Sequence, residues 1–558
     1  MEESRDVVPE TSNGALTRRE FLTVVAAAVP LAAVVGAVAC TSEPEARSPA
    51  QSPALVGLSR KGARAIAGGY VNDGSEAGHA LRDRKTPTNE AQGARERRRT
   101  SVAIVGAGMG GLSAGWQLDA LGLRDWTMLE LGDRAGGNSR SGANSVSRYP
   151  WGAHYVPVPG KDATHVRALM RDLGVLSESG VWDEATLCHS PQERVWQYGR
   201  WHQGLEPFDA LPKAEIEQFD RFEAAIDEWR ATGAFSVPTA QGQERTRSGA
   251  GASRVAALDG QTAAAWMTAN GFTSKALRWW VEYGTRDDYG ASLDTASAWA
   301  AVHYFAGRDA DEIGPLTWPE GNDFIAQRLA ARAGPRLLTN SPATSIERMG
   351  SRWLVRTPRI DVECDVVIWS SPLFVLPFVA PSITPPVKLE YAPWVVANIT
   401  LDREPEQRGT EPAWDNVIYG SSALGYVDAT HQSLAQHRTG RVWTWYHAVV
   451  DRSPTDARRW MAARPWAAWR DEIMADLTRA HPDIDRCVAR IDVMQWGHAM
   501  ARPTPGLLQR VETLQAWTPA ERFYIGHADL SGLSLFEEAQ WHGVHAAESA
   551  ARIVMGTR

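Results

Sequence analysis

The run Ser101 to Val105, SVAIV, passes without a spacer into GAGMGG at Gly106 to Gly111 and then into the helix-compatible stretch Leu112 to Leu121. A β-rich strand, a glycine turn and a helix in that order commit a chain to a parallel α/β unit whose helix amino terminus faces an anion. Gly106 permits the sharp turn, and Gly108 lets the backbone approach a pyrophosphate. Gly110 belongs to the same loop, and Gly111 lets the helix pack closely on the strand. A second strand, Thr127 to Leu131, ends near Glu130, nineteen residues after Gly111, where an acid accepts hydrogen bonds from an adenosine ribose. The spacing therefore predicts a Rossmann-like dinucleotide site.

The residues after Glu130 narrow the choice of dinucleotide. The chain continues GDRAGGNSRSG, and the paired Gly136 and Gly137 resemble the second glycine motif of the flavin-containing amine oxidase superfamily. That group includes monoamine and polyamine oxidases, protoporphyrinogen oxidase and phytoene desaturases. The resemblance implies FAD as cofactor, with both glycines close to it. The family usually places Arg directly after the pair; here Asn138 and Ser139 precede Arg140, so Asn138 and Arg140 are the candidates for that contact.

Later segments are similar to the same family. Trp151-Gly152-Ala153-His154 resembles the turn beside the flavin ring, and Trp318-Pro319-Glu320-Gly321 the turn leading into a helix, here Asn322 to Ala331. Arg336 to Trp369 resembles the returning strands, with Ala343 where a backbone group meets adenine. Arg522 to Gly526 reads as a last strand and Phe536 to Val554 as a last helix, with Val544, Ala547, Ala551 and Val554 at helical spacing. The resemblance places Gly526 at the strand end, Phe536 where a backbone N–H reaches the flavin, and Gly543 at the helix's small position. The family's acid follows the strand glycine by one or two residues; here it is Asp529, which reaches the ribityl hydroxyls by a small shift or leaves that contact to backbone groups.

The fold expected is α/β with two domains: a Rossmann-like FAD-binding domain from residues 100–164, 315–372 and 520–558, and an interleaved α+β substrate domain from 165–314 and 373–519. A flavin ring accepts a hydride, so the protein chiefly orients the substrate and tunes the ring. Many amine oxidases of the family carry a Lys six residues after a proline like Pro372; here that position is Phe378. Candidate catalytic groups are His154 and His498, the latter in QWGHAMARPTPG with Trp496 and Met500; a hydrogen-bonded structural role is the competing reading of each histidine. Arg286, Asp287 and Asp288 read as an ion-paired turn. The expectation is an exported FAD-dependent oxidoreductase passing electrons from a small organic substrate to oxygen or another acceptor. A desaturase acting on a C–C bond of an apolar molecule and a catalytically silent flavin scaffold are the alternatives.

Composition settles what else the chain does. A net charge of -8 offers no concentrated basic surface for nucleic acid. Four Cys, at 40, 188, 364 and 487, make no disulfide framework, and no metal site is expected; His542 and His545, one helical turn apart, are the nearest approach to one. Twenty-four Trp read mainly as core. Residues 1–40 resemble a twin-arginine export signal: Arg18 and Arg19 precede the uncharged run Phe21 to Ala39, which ends in the small residues Ala37-Val38-Ala39. The alternative for that run is an uncleaved membrane anchor. Cys40 resembles an acylated lipobox cysteine, which would tether the protein to a membrane; an ordinary signal peptidase would instead leave it unmodified. Either outcome implies a periplasmic or other extracytoplasmic location, reached through the twin-arginine machinery. Residues 41–99 read as a linker, with a short hairpin at Ala65 to Leu81 and a solvated Arg cluster, Arg97 to Arg99.

Overall fold

The computed structural model describes residues 65–71, 74–83, 96–206, 208–240, 251–308, 314–434 and 439–556. The export signal and Cys40 lie outside the described residues. Two sheets organise the described chain. The first has seven strands, and its centre is the strand Glu96–Val105 leading into the glycine loop. Trp126–Leu129 pairs with it in parallel on one side and Ile360–Trp369 on the other. Trp126–Leu129 and the last four residues of Ile360–Trp369 are fully buried and almost wholly apolar, as burial on two faces demands. Ile360–Trp369 is long enough to serve two partners: its first half pairs with Arg352–Arg356, its last residues with Phe523–Ile525. The carboxyl-terminal strand is thereby inserted beside the loop it must face.

Helices cover this sheet. Met109–Ala120 and the closing helix Phe536–Met555 bring Leu112, Leu118, Ala547 and Ala551 into one apolar core with Val102, Ile104 and Ile368. The second sheet has eight strands, with Val488–Ala501, Tyr391–Leu401 and Arg441–Ala448 adjacent in antiparallel order. Beside it a helical layer, including Lys213–Ala231, Lys275–Tyr289 and Ala298–Ala306, forms its own core around Phe219, Phe222, Leu277 and Trp299. The fold is thus the expected one: a Rossmann-like domain and a second sheet with helices, their segments alternating along the chain.

The segment expected to be linker departs from its reading. Ala67–Tyr70 forms no hairpin; it is an edge strand parallel to Val488–Ala501, and Ser75–Arg82 is a helix. Tyr70 explains the docking, since its hydroxyl donates to the Arg464 carbonyl at 2.5 Å. Arg97 to Arg99 lie inside the central strand, paired with Asp361 to Glu363, although their side chains remain at least partly exposed.

Candidate functional site

Contact around the glycine loop is made by backbone. Gly106 has φ +105°, a conformation that side chains rarely adopt, and a Cβ there would meet Ser371 Oγ at 2.5 Å and the Ser370 carbonyl oxygen at 2.6 Å. A Cβ on Gly110 would overlap the Gly526 carbonyl, one on Gly111 the Gly106 carbonyl, and one on Gly543 the Gly110 carbonyl. Loop, closing strand and closing helix therefore touch directly. Nothing lies within 4 Å of a Cβ on Gly108, which is the N-cap of Met109–Ala120 and makes no side-chain capping bond. The first N–H groups of that helix face open space, as a pyrophosphate requires. The second glycine pair lies on the same opening: Gly136 N–H donates to the Ala107 carbonyl at 2.9 Å, and a Cβ on Gly137 would stand 3.3 Å from Gly108 Cα.

Glu130 closes the loop from below. Its Oε2 accepts from Ala107 N–H at 2.9 Å and its Oε1 from Gly132 N–H at 2.8 Å. Burial raises its proton affinity, and those two N–H groups oppose the rise. Each oxygen keeps acceptor capacity for a ribose hydroxyl. The Glu130 carbonyl accepts from Ser341 N–H at 2.8 Å, and Ala343, two residues on, is buried against Leu129 and Val105. These residues fit a dinucleotide.

Asn138 joins the cradle to the second sheet. Its Nδ2 donates to the Ala499 carbonyl at 2.5 Å, and its own carbonyl accepts from Ala153 N–H at 2.9 Å, leaving no room for a side chain at Gly152. Arg140 stacks over Trp496, 5.2 Å from the ring centroid. The Trp318 turn holds the Gly152 turn through Thr317 Oγ1 to the His154 carbonyl, 2.9 Å, and Asn322 Nδ2 to the Tyr155 carbonyl, 2.9 Å. Asp323, fully buried, accepts from Arg134 and Ser141, both at 2.5 Å, and so locks the glycine pair to this helix.

These elements enclose a cavity of about 150 Å³. Asn138 and Gly152 bound it on the cradle side, Ser534 to Phe536 at the start of the closing helix. Trp394, Tyr446, Trp496 and Met500 make an aromatic face, and Tyr155, Asp287, Asp288, Arg308 and Glu537 an ionic one. His154 lines it, stacked on Tyr446 with ring centroids 4.6 Å apart. Burial lowers its pKa to about 4, so it is neutral near pH 7. His303 is also neutral: Tyr289 OH lies 2.8 Å from Nδ1, and Nε2 is 2.9 Å from the Ser236 carbonyl, which assigns the ring proton to Nε2.

The ionic face holds more carboxyls than cations. Asp288 pairs with Arg308 at 2.7 Å and accepts from Tyr155 OH at 3.0 Å. Asp287 has the same hydroxyl at 3.4 Å. Burial, then the neighbouring Asp288, pushes the Asp287 carboxyl up to about 7. Glu537 is 2% exposed and its carboxyl bonds no other side chain among the described residues; burial pushes it up to about 8. The Arg286-Asp287-Asp288 segment is accordingly not an ion-paired turn. Arg286 points away and donates to the carbonyls of Ser421, 3.3 Å, and Ser422, 2.9 Å.

Not every residue singled out in the sequence lines this cavity. His498 is exposed and stacks on Phe374 outside the cavity, centroids 4.4 Å apart. The register between Tyr391–Leu401 and Val488–Ala501 shifts between Ala392 and Trp394, so Gly497 to Ala499 oppose Pro393 alone. Pro393 has no N–H for the ladder, and the bulge turns His498 outward while Trp496 and Met500 face inward. Asp529 is fully buried and does not line this cavity; its Oδ2 accepts from Leu373 N–H at 2.8 Å and Tyr391 OH at 2.6 Å, and its Oδ1 lies 3.3 Å from His527 Nδ1 and makes no hydrogen bond among the described residues. Phe378 is 43% exposed and does not line the cavity. His542 and His545 point apart, one ring to Ser531 Oγ at 2.7 Å, the other to the Trp541 carbonyl at 2.8 Å. Tyr155, Arg308 and Glu537 carry no signal of their own in the sequence. An acid in the first turn of a helix, such as Glu537, is ordinary dipole chemistry.

Comparison with known proteins agrees with this architecture. The family described as NAD(P)-binding Rossmann-like domain matches residues 104–173. No curated protein matches by sequence. A structure of putrescine oxidase, wild type bound to putrescine, is similar with a TM-score of 0.61 at 17% identity, covering 81% of this chain and 98% of that one. Cyclohexylamine oxidase from Brevibacterium oxydans IH-35A is similar at 0.60 and 16%, covering 82% and 99%. A fatty acid isomerase from P. acnes that produces CLA is similar at 0.56 and 16%, covering 81% and 98%. The fold is therefore flavin amine oxidase-like.

Proposed function

We propose that this chain is an FAD-dependent oxidoreductase whose substrate is a small organic amine, oxidised by hydride transfer to the flavin, with oxygen or another acceptor taking the electrons. The observation that carries the amine reading is the ionic face: Arg308 is already matched by Asp288, and Asp287 and Glu537 add carboxyls that become negative as pH rises through about 7 and about 8, which suits a cation. A fatty acid carboxylate would meet like charge there once Asp287 is ionised, above about pH 7. The aromatic face of Trp394, Tyr446 and Trp496 suits an apolar body attached to the cationic group.

FAD would be held by the Gly106 to Gly111 loop and the helix it opens at its pyrophosphate, Glu130 at its ribose, Gly136, Gly137 and Asn138 along its length, and the Phe536 N–H at its ring. Bound there, it supplies the hydride acceptor. The protein's part is to orient the substrate carbon, exclude water through the aromatic face, and manage the proton of the amine. Neutral His154 acts as a hydrogen-bonding wall.

The decisive experiment is anaerobic mixing of the purified flavoprotein with cyclohexylamine or putrescine. Bleaching of the flavin absorbance is expected, with hydrogen peroxide on admission of oxygen; protein that binds NAD instead of flavin would end the reading. Bleaching by an apolar alkene precursor and by neither amine would favour the desaturase. We also propose export by the twin-arginine route with acylation at Cys40. A mass spectrum of mature protein showing an unmodified amino terminus would remove the acylation.

A further inference from the structure

The ionic face contains carboxyls in three different conditions, and only one suits proton transfer. Asp288 has both oxygens engaged, Oδ2 by Arg308 at 2.7 Å and Oδ1 by Tyr155 at 3.0 Å, so its charge is already satisfied. Glu537 sits at the first turn of Phe536–Met555, 2% exposed and bonded to no other side chain among the described residues, and holds its proton up to about pH 8. Asp287 is half-buried, lines the cavity, and has only the long 3.4 Å contact with Tyr155 OH.

Groups from every neighbouring element bear on Asp287. Arg286 and Asp288 flank it on its own helix, with Tyr283 one turn back. Tyr155 faces it from the strand beside the Gly152 turn, and Arg308 with Tyr304 from the next helix and its end. Asp415 and Tyr446 face it from the second sheet. Burial and Asp288 favour the protonated form; Arg308, Tyr155 and Arg286 favour the carboxylate, and the balance lies at about 7. A base works best when its proton affinity matches the working pH. Neutral His154, at about 4, is too weak a base for an ammonium.

We infer that Asp287 is the base of this cavity: its carboxylate takes a proton from a bound alkylammonium before the neighbouring C–H bond is oxidised. One N–H bond breaks, one O–H bond forms, and the freed lone pair remains on nitrogen to support loss of hydride from the adjacent carbon. No oxidant enters this step. Tyr155, bridging Asp287 and Asp288, is a positioning residue. The assignment rests on the amine reading above.

The test uses the flavin-loaded protein, its Asp287→Asn and Asp287→Glu variants, cyclohexylamine, and the N,N,N-trimethylcyclohexylammonium ion, which has no proton to give. Flavin reduction by cyclohexylamine in the unaltered protein should show a limb with a midpoint near 7, lost in Asp287→Asn with a fall of about a hundredfold near neutrality and restored in Asp287→Glu. Flavin content per chain should stay unchanged. Binding of the quaternary ion, read by calorimetry without turnover, should strengthen as pH rises through the same range, and Asp287→Asn should remove the step near 7 and leave only that of Glu537 near 8. An Asp287→Asn protein that keeps the limb, or keeps the step near 7 in quaternary-ion binding, overturns the assignment of Asp287 alone. A flavin that neither cyclohexylamine nor putrescine bleaches in the unaltered protein overturns the amine reading itself.

Discussion

On one side of the cavity the cradle at Gly106 to Gly111, Gly136 and Gly137 is formed by removing side chains, so that backbone meets backbone at Gly110, Gly526 and Gly543. On the other, the face of Asp287, Asp288, Arg308 and Glu537 is formed by side chains whose charge depends on pH. The first holds its shape by steric necessity and should tolerate almost no added volume. The second should accept isosteric substitution without refolding, yet change its behaviour with each proton. The contrast separates where a cofactor is gripped from where a substrate is managed.

The largest expected effect tests the steric side. Gly543→Val would drive a side chain into the Gly110 backbone, at a cost of about 3 kcal/mol or more, with loss of bound flavin; thermal melting and the flavin-to-protein absorbance ratio report both. A variant that melts normally and keeps its flavin would break the contrast. Glu130→Ala comes next. It strips the acceptors from Ala107 and Gly132 N–H and should cost about 1–3 kcal/mol and lower flavin retention. Unchanged occupancy in the purified variant would remove Glu130 from the site.

A smaller effect sharpens the ionic side. His154 and His303 have pKa values lowered to about 4, so the unfolded chain binds more protons than the folded one between about 4 and 6.5. Their stabilisation is complete well above about pH 6.5 and is lost as pH falls through that value toward about 4. Asp287 and Glu537 act in the opposite sense: raised to about 7 and about 8, they stabilise the fold at low pH and lose that contribution as pH rises through those values. Between about pH 6.5 and pH 8 the carboxyls outweigh the last of the histidine titration, and unfolding free energy in urea should fall by roughly 1–2 kcal/mol. The double variant Asp287→Asn with Glu537→Gln should flatten that slope; a slope that survives would place its origin elsewhere. The smallest effect is a control. His498→Ala should change stability by no more than about 0.5 kcal/mol and leave flavin reduction unaltered. Slowing comparable to Asp287→Asn would mean that the chemistry lies on the Phe374 side instead.

The cradle was legible because its information is local. Strand, glycine turn and helix follow one another within Ser101 to Leu121, and Glu130 and Gly136 lie at fixed short separations from them. The ionic face was not, because Tyr155, Asp287, Arg308 and Glu537 come from four separated segments, and none of them departs from what a helix end or strand would carry anyway. Even Asp287 and Asp288, conspicuous beside Arg286, suggested an internal ion pair. The helix directs Arg286 to the Ser421 and Ser422 carbonyls and leaves Asp288 to Arg308, twenty residues on.

The two histidines show the division most directly. His154 was placed in a turn by the resemblance that Trp151 to His154 carries, and the structure sets that turn against Asn138, whose carbonyl would occupy the space of a side chain at Gly152. His498 lies in a strand whose alternation puts Trp496, His498 and Met500 on one face. Pro393, on a neighbouring strand, overrides that alternation: it gives the ladder no N–H, the pairing slips at Gly497 to Ala499, and His498 turns to the outside. Local steric rules are written in consecutive residues; which face a side chain finally presents depends on the strand paired beside it, and only the tertiary structure brings that strand there.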